Sequence, residues 1–441
     1  MSESDFPCTP LNKKIMSYKK QRIAVVGSGI AGLSAAWLLS QHFEVTLYEA
    51  ETRLGGHSNT VDVTIDGIKV AADTGFLVCN DRTYHNLLSL FRHLKVELVA
   101  SEMSFSVQIE RENLAWAGAS LGTLFGDKKN LLRPKFWRMV RDVLRFNRAA
   151  PAFLDAQDAS LTVGEYLQQQ GYSEVFAQWY LLPMAAAIWS CPTATVLDFP
   201  ALTLILFFKQ HGLLQVSNRP QWMTVKNGSR TYVEKLRQGI TRIQSGDPVQ
   251  QIIRDATGVM LLSKSGAAQF DQVVLACHSD QALAMLNDAS AAEIAVLSAI
   301  QYQPNRAVLH TDASVLPKQK PMWSAWNFHT QLTDKSSQAV AVSYLLNKLQ
   351  PLPIKTPLLV TLNPTDEIAA EYVLADIAYA HPLLDSAAIA AQAKLPALQG
   401  VNRTWFCGAW TGYGFHEDGL KSALNVAAAF GVSPPWHTPK Q

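Results

Sequence analysis

Gly27, Gly29 and Gly32 stand at the G-x-G-x-x-G spacing directly after a short β-branched run, Arg22 to Val26. Each glycine has a mechanical use there. Gly27 permits a tight turn, Gly29 lets backbone N–H groups reach a pyrophosphate with no Cβ in between, and Gly32 lets the next helix pack close to the strand. Ser28, Ile30 and Ala31 complete the loop, and phosphates would sit on the helix N-terminus, where unpaired N–H groups favour anions. EVTLYE (44–49) reads as the second strand of a βαβ unit. Glu49 at its end has the place of a carboxylate that accepts hydrogen bonds from a ribose diol and repels the 2′-phosphate of NADP. The chemistry implied is that of a bound dinucleotide. A signal peptide is the competing reading of basic residues 13–22 and the apolar run behind them. Three glycines at phosphate-loop spacing and the lack of an A-x-A site oppose it.

The elements that must position this loop belong to a long chain. It has 441 residues, 48% hydrophobic and 17% charged, enough for two or three domains with large cores. The net charge of +2 points to no nucleic-acid partner. Cys8, Cys79, Cys191, Cys277 and Cys407 are scattered, without a C-x-x-C, so neither a disulfide framework nor a metal site is expected and the compartment reads as reducing and cytoplasmic. No apolar run reaches the roughly 18 residues of a membrane span, which leaves a soluble or a peripheral protein.

Downstream of Glu49 come RLGGH (53–57) and VAADTGF (70–76). Together with the glycine loop, these resemble the flavin-dependent amine oxidase superfamily, which also holds phytoene desaturases and protoporphyrinogen oxidases. The resemblance implies FAD, bound without a covalent link, rather than NAD. Arg53, Gly55, Gly56 and His57 would lie along it, and Thr74, Gly75 and Phe76 would approach the flavin. It further implies that NGSRTYVEKL (227–236) leads back to the nucleotide domain and that Val249 holds the adenine by its backbone. Residues 249–277 read as three short strands, VQQIIRDATG, VMLLSKSG and FDQVVLACH, parted by turns at Thr257-Gly258 and Ser265-Gly266, a β-meander that the resemblance assigns to the FAD domain. At 404–429 the family's F-A-G-[DE] and x-G-A-x-x-S-G elements map onto Gly408, Ala409, Asp418, Gly419 and Leu420, with a helix N-terminus turned to the flavin. Ala409 and Trp410 replace the family's acid, Leu424 replaces a glycine, and the amine oxidases' lysine near flavin N5 has no clear counterpart. The stretch GAWTGYGFHEDGL (408–420) is similar to a subgroup of FAD oxidoreductases of unknown substrate linked to cyclopropane fatty-acid synthesis.

The expected fold is α/β. A Rossmann-like FAD domain with a β-meander is built from residues 21–90, 220–290 and 398–432, and an α+β substrate domain from 91–219 and 291–397. Residues 1–20 and 433–441 read as tails. Residues 86–170 read mostly as helices, and the runs RAVLHT, WSAWNFH and AVAVSYLL within 302–346 as sheet. His416 and Glu417, just ahead of the last helix, are the candidates for acid/base work, with helix capping as the alternative. Tyr302, Trp326, His329 and His381 are further pocket candidates. The apolar, aromatic stretch 173–217 suggests either a buried core or the wall of a pocket for an apolar small molecule. The expected activity is oxidation, desaturation or isomerisation of a lipid-like substrate, against a flavin amine oxidase or a non-catalytic scaffold.

One segment stands apart in charge. Residues 128–148 hold eight basic residues against Asp142, a net +7 on a chain of net +2. Arg138, Arg141, Arg145 and Arg148 fall on one helical face, with Phe136 and Trp137 nearby. Such a helix suits an anionic membrane at the inner face, or is simply solvated.

Overall fold

The computed structural model describes residues 20–156, 160–215, 218–330 and 341–437. The expected N-terminal tail lies outside them except for Lys20.

Five short strands form a parallel sheet in the order Arg242–Ser245, Glu44–Glu49, Arg22–Val26, Gln272–Leu275, Thr404–Phe406. The central strand is apolar on both sides because both faces are covered. Ile23 and Val25 enter one core with Leu33, Leu236 and Leu420, and Ala24 and Val26 enter another with Ile252, Leu261 and Phe406. The helices Ile30–Leu39 and His416–Ala429 belong to the first core, and all ten residues of the former are buried. The antiparallel meander Val249–Arg254, Val259–Ser263, Gly266–Phe270 covers the other face. Here the sequence reading needs correction: FDQVVL is not the third meander strand. Phe270 ends that strand, and Gln272–Leu275 crosses into the parallel sheet.

A seven-stranded sheet runs Val373–Pro382, Tyr302–His310, Leu359–Leu362, Ala341–Leu345, Trp326–Thr330, Phe105–Ile109, Leu114–Ala117. Against it packs the largest core, with Phe136, Phe146, Phe176, Trp179 and Phe208 from the helices of 134–210. The last two strands correct the helical reading of 86–170. The helices expected there are present as His85–His93, Pro134–Ala156 and Val163–Gln169. A small sheet pairs Leu98–Ala100 and Cys79–Asn80 with Trp222–Val225, so hydrogen-bonded strands join segment 91–219 to the two segments, 21–90 and 220–290, that flank it. The C-terminal stretch to residue 437 is not a free tail, since Trp436 stacks on Trp37 at 6.4 Å. Residues 438–441 lie outside the described residues.

Candidate functional site

A single cavity of about 900 Å³ runs from the glycine loop into the aromatic core of the second sheet. At its first end, the loop is held by a hydrogen bond from Gly27 N to Tyr48 O of 2.8 Å. A Cβ on Gly32 would stand 1.8 Å from Gly27 O, so that glycine is required by packing alone. Gly29 differs: a Cβ there meets no protein atom within 4 Å, and its backbone is ordinary for any residue. Its open side is the space a pyrophosphate would take. Gly56 faces it, its own Cβ position 3.1 Å from Gly29 Cα.

Glu49 lines this end. One carboxylate oxygen accepts from Ser28 N (2.8 Å) and Ser28 Oγ (2.6 Å), and the other from Glu51 N (3.0 Å). Each carboxylate oxygen has two lone pairs, so capacity remains for a ribose hydroxyl. Val26, Ser28, Ile30, Ala31, Gly55, Gly56 and Val249 also line the cavity. Arg53 does not. Its exposed guanidinium reaches the carbonyls of Leu54, Gly56 and Ser58 and ties the double-glycine loop down.

The middle of the cavity is walled by His57, Thr74, Gly75, Phe76, Ala276, His278, His381, Gly408, Ala409 and His416. His416 Nε2 is 2.8 Å from Ser58 Oγ, its ring stacks on Phe76 at 3.8 Å, and burial pushes its pKa down to about 3. His57 stacks on Tyr379 at 4.7 Å, and burial together with His381, His278 and His416 holds it well below the usual histidine range. Its Nε2 is buried and has no hydrogen-bond partner among the described residues. Burial also brings His381 down to about 4; its Nδ1 lies 2.8 Å from Asn305 Nδ2, a donor, so Nδ1 accepts and Nε2 carries the hydrogen. His278 stacks on Tyr302 at 4.3 Å and is likewise lowered by burial. At neutral pH these four imidazoles are uncharged.

Several sequence candidates stand elsewhere. Glu417 is turned away from the cavity, and its two oxygens accept from Asn86 N, Asn86 Nδ2 and Leu87 N at 2.8–2.9 Å. It caps the helix His85–His93, the alternative its position in sequence allowed. Asp418 accepts from Phe415 N, and Leu420 is fully buried in the core. Gly419 sits where a Cβ would be 2.8 Å from Ile30 Cγ2, which lets the two helices touch. Cys407 is buried in the same core and does not line the cavity. His329 is 3.1 Å from Glu110 and is not part of the lining. Tyr302, Trp326 and His381 do line it.

The far end is aromatic. Phe105, Trp116, Tyr180, Trp189, Phe207, Trp222, Tyr344, Tyr413 and Phe415 surround it with Met103, Met184 and Ile188. Tyr180 lies in a π-helical turn, Ala177–Leu181, within an otherwise α-helical run, a device that is frequent at functional sites. The stretch 173–217 thus does both things weighed from sequence, filling the core with one set of rings and walling the cavity with another. Trp116, Tyr379 and His278 carried no motif and went unmarked.

The chain belongs to the flavin-containing amine oxidoreductase family, which it matches over residues 30–430. The enzyme is accordingly an FAD-dependent oxidoreductase. A stretch of 148 residues is 34% identical to the carotenoid phi-ring synthase of Streptomyces griseus, covering 31% of this chain and 27% of that protein. In fold it is similar to a conjugated-linoleic-acid-producing fatty acid isomerase from P. acnes (15% identity, TM-score 0.66, 94% of this chain and 99% of that one). It is also similar to the cyclohexylamine oxidase of Brevibacterium oxydans (16% identity, TM-score 0.66, 93% and 100%). The residues fit the cofactor: the open side of Gly29 and the remaining lone pair of Glu49 lie in one cavity with the unpartnered His57 Nε2. When bound, FAD supplies the two-electron chemistry; the chain supplies the cradle and an uncharged wall of imidazoles and rings. No helix among the described residues is long and apolar enough to cross a membrane, and no group of three His, Cys, Asp or Glu among them is placed to hold a metal ion.

Proposed function

We propose that the enzyme oxidises, desaturates or isomerises an apolar, lipid-like substrate by hydride transfer to the flavin. The observation that carries this is the chemistry of the far end of the cavity. Its described lining is mostly rings, methionines and aliphatic side chains, with Arg219 and the hydroxyls of Ser104 and Ser190 among them, while the acids of the described lining, Glu49 and Glu51, stand at the nucleotide end. An ammonium substrate would enter without a carboxylate to meet it, and burying it unpaired is costly. No lysine among the described residues lines the cavity either, so the residue that the amine-oxidase resemblance would place near the flavin has no counterpart among them. The fatty acid isomerase and the carotenoid synthase, by their names, act on long apolar molecules, in keeping with this reading.

Two polar atoms qualify the apolar wall. Trp326 Nε1 and His57 Nε2 are buried without a partner, and both residues line the cavity. An indole N–H only donates, so it suits a substrate oxygen, and an unpaired buried donor is costly until one arrives. A neutral His57 can hold or take a proton in the middle of the cavity. The test is anaerobic bleaching of the flavin by long-chain unsaturated amphiphiles and, separately, by primary amines. Bleaching by the amphiphiles, weakened in Trp326→Phe, is expected; bleaching by amines alone would overturn the reading in favour of an amine oxidase.

A further inference from the structure

The helix Pro134–Ala156 and the turn before it present an outward face of unusual composition. Eleven large apolar side chains are exposed among the described residues, and five of them fall between 121 and 144: Leu121 (77%), Leu131 (48%), Leu132 (87%), Trp137 (48%) and Leu144 (57%). The helix buries Phe136, Met139, Phe146 and Ala150. Phe136 therefore does not share a face with Trp137. At 3.6 residues per turn, Trp137, Arg141, Leu144 and Arg148 fall in one outward sector of about 60°. Arg145 is spent on structure: it bonds the carbonyls of Gln170 and Gly171 and lies over Tyr172 at 4.0 Å. Arg138 and Arg148, by contrast, have no partner among the described residues, Arg141 is only 3.9 Å from Asp142, and Lys128, Lys129 and Lys135 are exposed.

The face is built, not frayed. Trp137 Nε1 donates to Leu131 O at 3.0 Å, buried Asn130 donates to Ala115 O at 2.8 Å, and Phe125 packs on Trp137 at 5.2 Å. It also adjoins the cavity. Trp116 and Gly118 both line the cavity, Gly118 is exposed, and Leu121 follows three residues on. An exposed lining residue marks an opening, and this one stands three residues from Leu121 in the chain.

We propose that this face docks on an anionic membrane, with Leu121, Leu132, Trp137 and Leu144 entering the boundary between headgroups and acyl chains while the cations meet the lipid phosphates. Charge selects the partner: a nucleic acid would satisfy the cations but leave four apolar side chains stranded, whereas a bilayer takes both. The entry route from bilayer to cavity rests on the apolar-substrate reading; docking itself does not. The FAD-loaded protein is sedimented with vesicles of phosphatidylcholine alone or containing phosphatidylglycerol, at low and high salt. The triple variant Arg138→Gln/Arg141→Gln/Arg148→Gln and the double variant Leu121→Ser/Leu132→Ser are run beside it, with the flavin spectrum as the check on folding. Binding should require the anionic lipid and fade with salt. It should weaken roughly a hundredfold in the triple variant, at about fivefold per cation near such a surface, and fall in the double variant at constant charge. Equal binding to both vesicle types, or no loss in either correctly folded variant, would overturn the proposal and leave a solvated face or a protein contact. Bleaching by a micellar amphiphile is read separately: if it persists while vesicle binding fails, docking is wrong and the substrate reading stands.

Discussion

The carboxylate of Glu417 closes the start of the helix His85–His93, so its value is structural. Glu417→Ala should lower stability by about 2 kcal/mol, a cap with buried partners left unsatisfied, with no change in the flavin spectrum; thermal denaturation with absorbance reads both. Gly29→Ala should do the opposite. With nothing within 4 Å of the new Cβ, the cofactor-free protein should melt at the same temperature or slightly higher. FAD affinity should drop by about tenfold or more as the methyl takes the pyrophosphate's space, measured by flavin titration. A third test uses His310, away from the cavity and wholly buried against Thr361, which burial brings down to about 4. Its folded value lies below the unfolded one of about 6.5, so its contribution to stability is present above that pH and is lost as pH falls toward 4. Denaturant unfolding of His310→Asn should therefore vary less than the parent between pH 7 and 4, by up to about 3 kcal/mol. Asp73 and Asp418, raised by burial to about 6, act in the reverse sense, contributing at low pH and ceasing to as pH rises through 6. They are common to both proteins and cancel in the comparison.

At the scale of elements, the two helices that meet at the cofactor end depend on one missing methyl. Gly419→Ala would press a Cβ to 2.8 Å from Ile30 Cγ2 and should lower both melting temperature and FAD affinity. Ile30→Ala added to it should recover part of both, since it removes the atom in the way. The βαβ unit was legible in the sequence because its loop fixes three residue types at set spacings and its strands, covered on both faces, are apolar throughout. The strand Phe105–Ile109 was not. FSVQI does alternate apolar and polar residues, but over only five positions inside a stretch dominated by helical patterns, and its polar side is not solvated: Ser106 is buried and donates to Asn327 Oδ1 at 2.8 Å. Gly266–Phe270 is small and polar because it edges the meander, and the apolar QVVL beyond it drew the strand assignment away. The cavity's rings escaped for another reason: Trp116, Trp222 and Tyr344 come from separate strands, and only the fold brings them to one wall.

For the molecule as a whole, the cradle of the glycine loop and the aromatic end belong to one continuous cavity, so on the function proposed above FAD would form part of the site the substrate enters. Adding FAD to the cofactor-free protein should stabilise it by about 2.7 kcal/mol at a hundred times the dissociation constant, so that the melting temperature rises with FAD concentration. A concentration-independent melting point would mean that the cavity does not hold it. The parallel sheet carries one more consequence. Its edge strand Thr404–Phe406 pairs with Gln272–Leu275, and the helix His416–Ala429 closes on Ile30–Leu39, the helix of the glycine loop. The glycine loop thus leaves the ribosome long before the pieces that complete its support. Contacts so distant in sequence form slowly and leave early segments waiting. Nascent chains arrested before residue 404 should fail to retain FAD, and loading the cofactor becomes an event that follows synthesis.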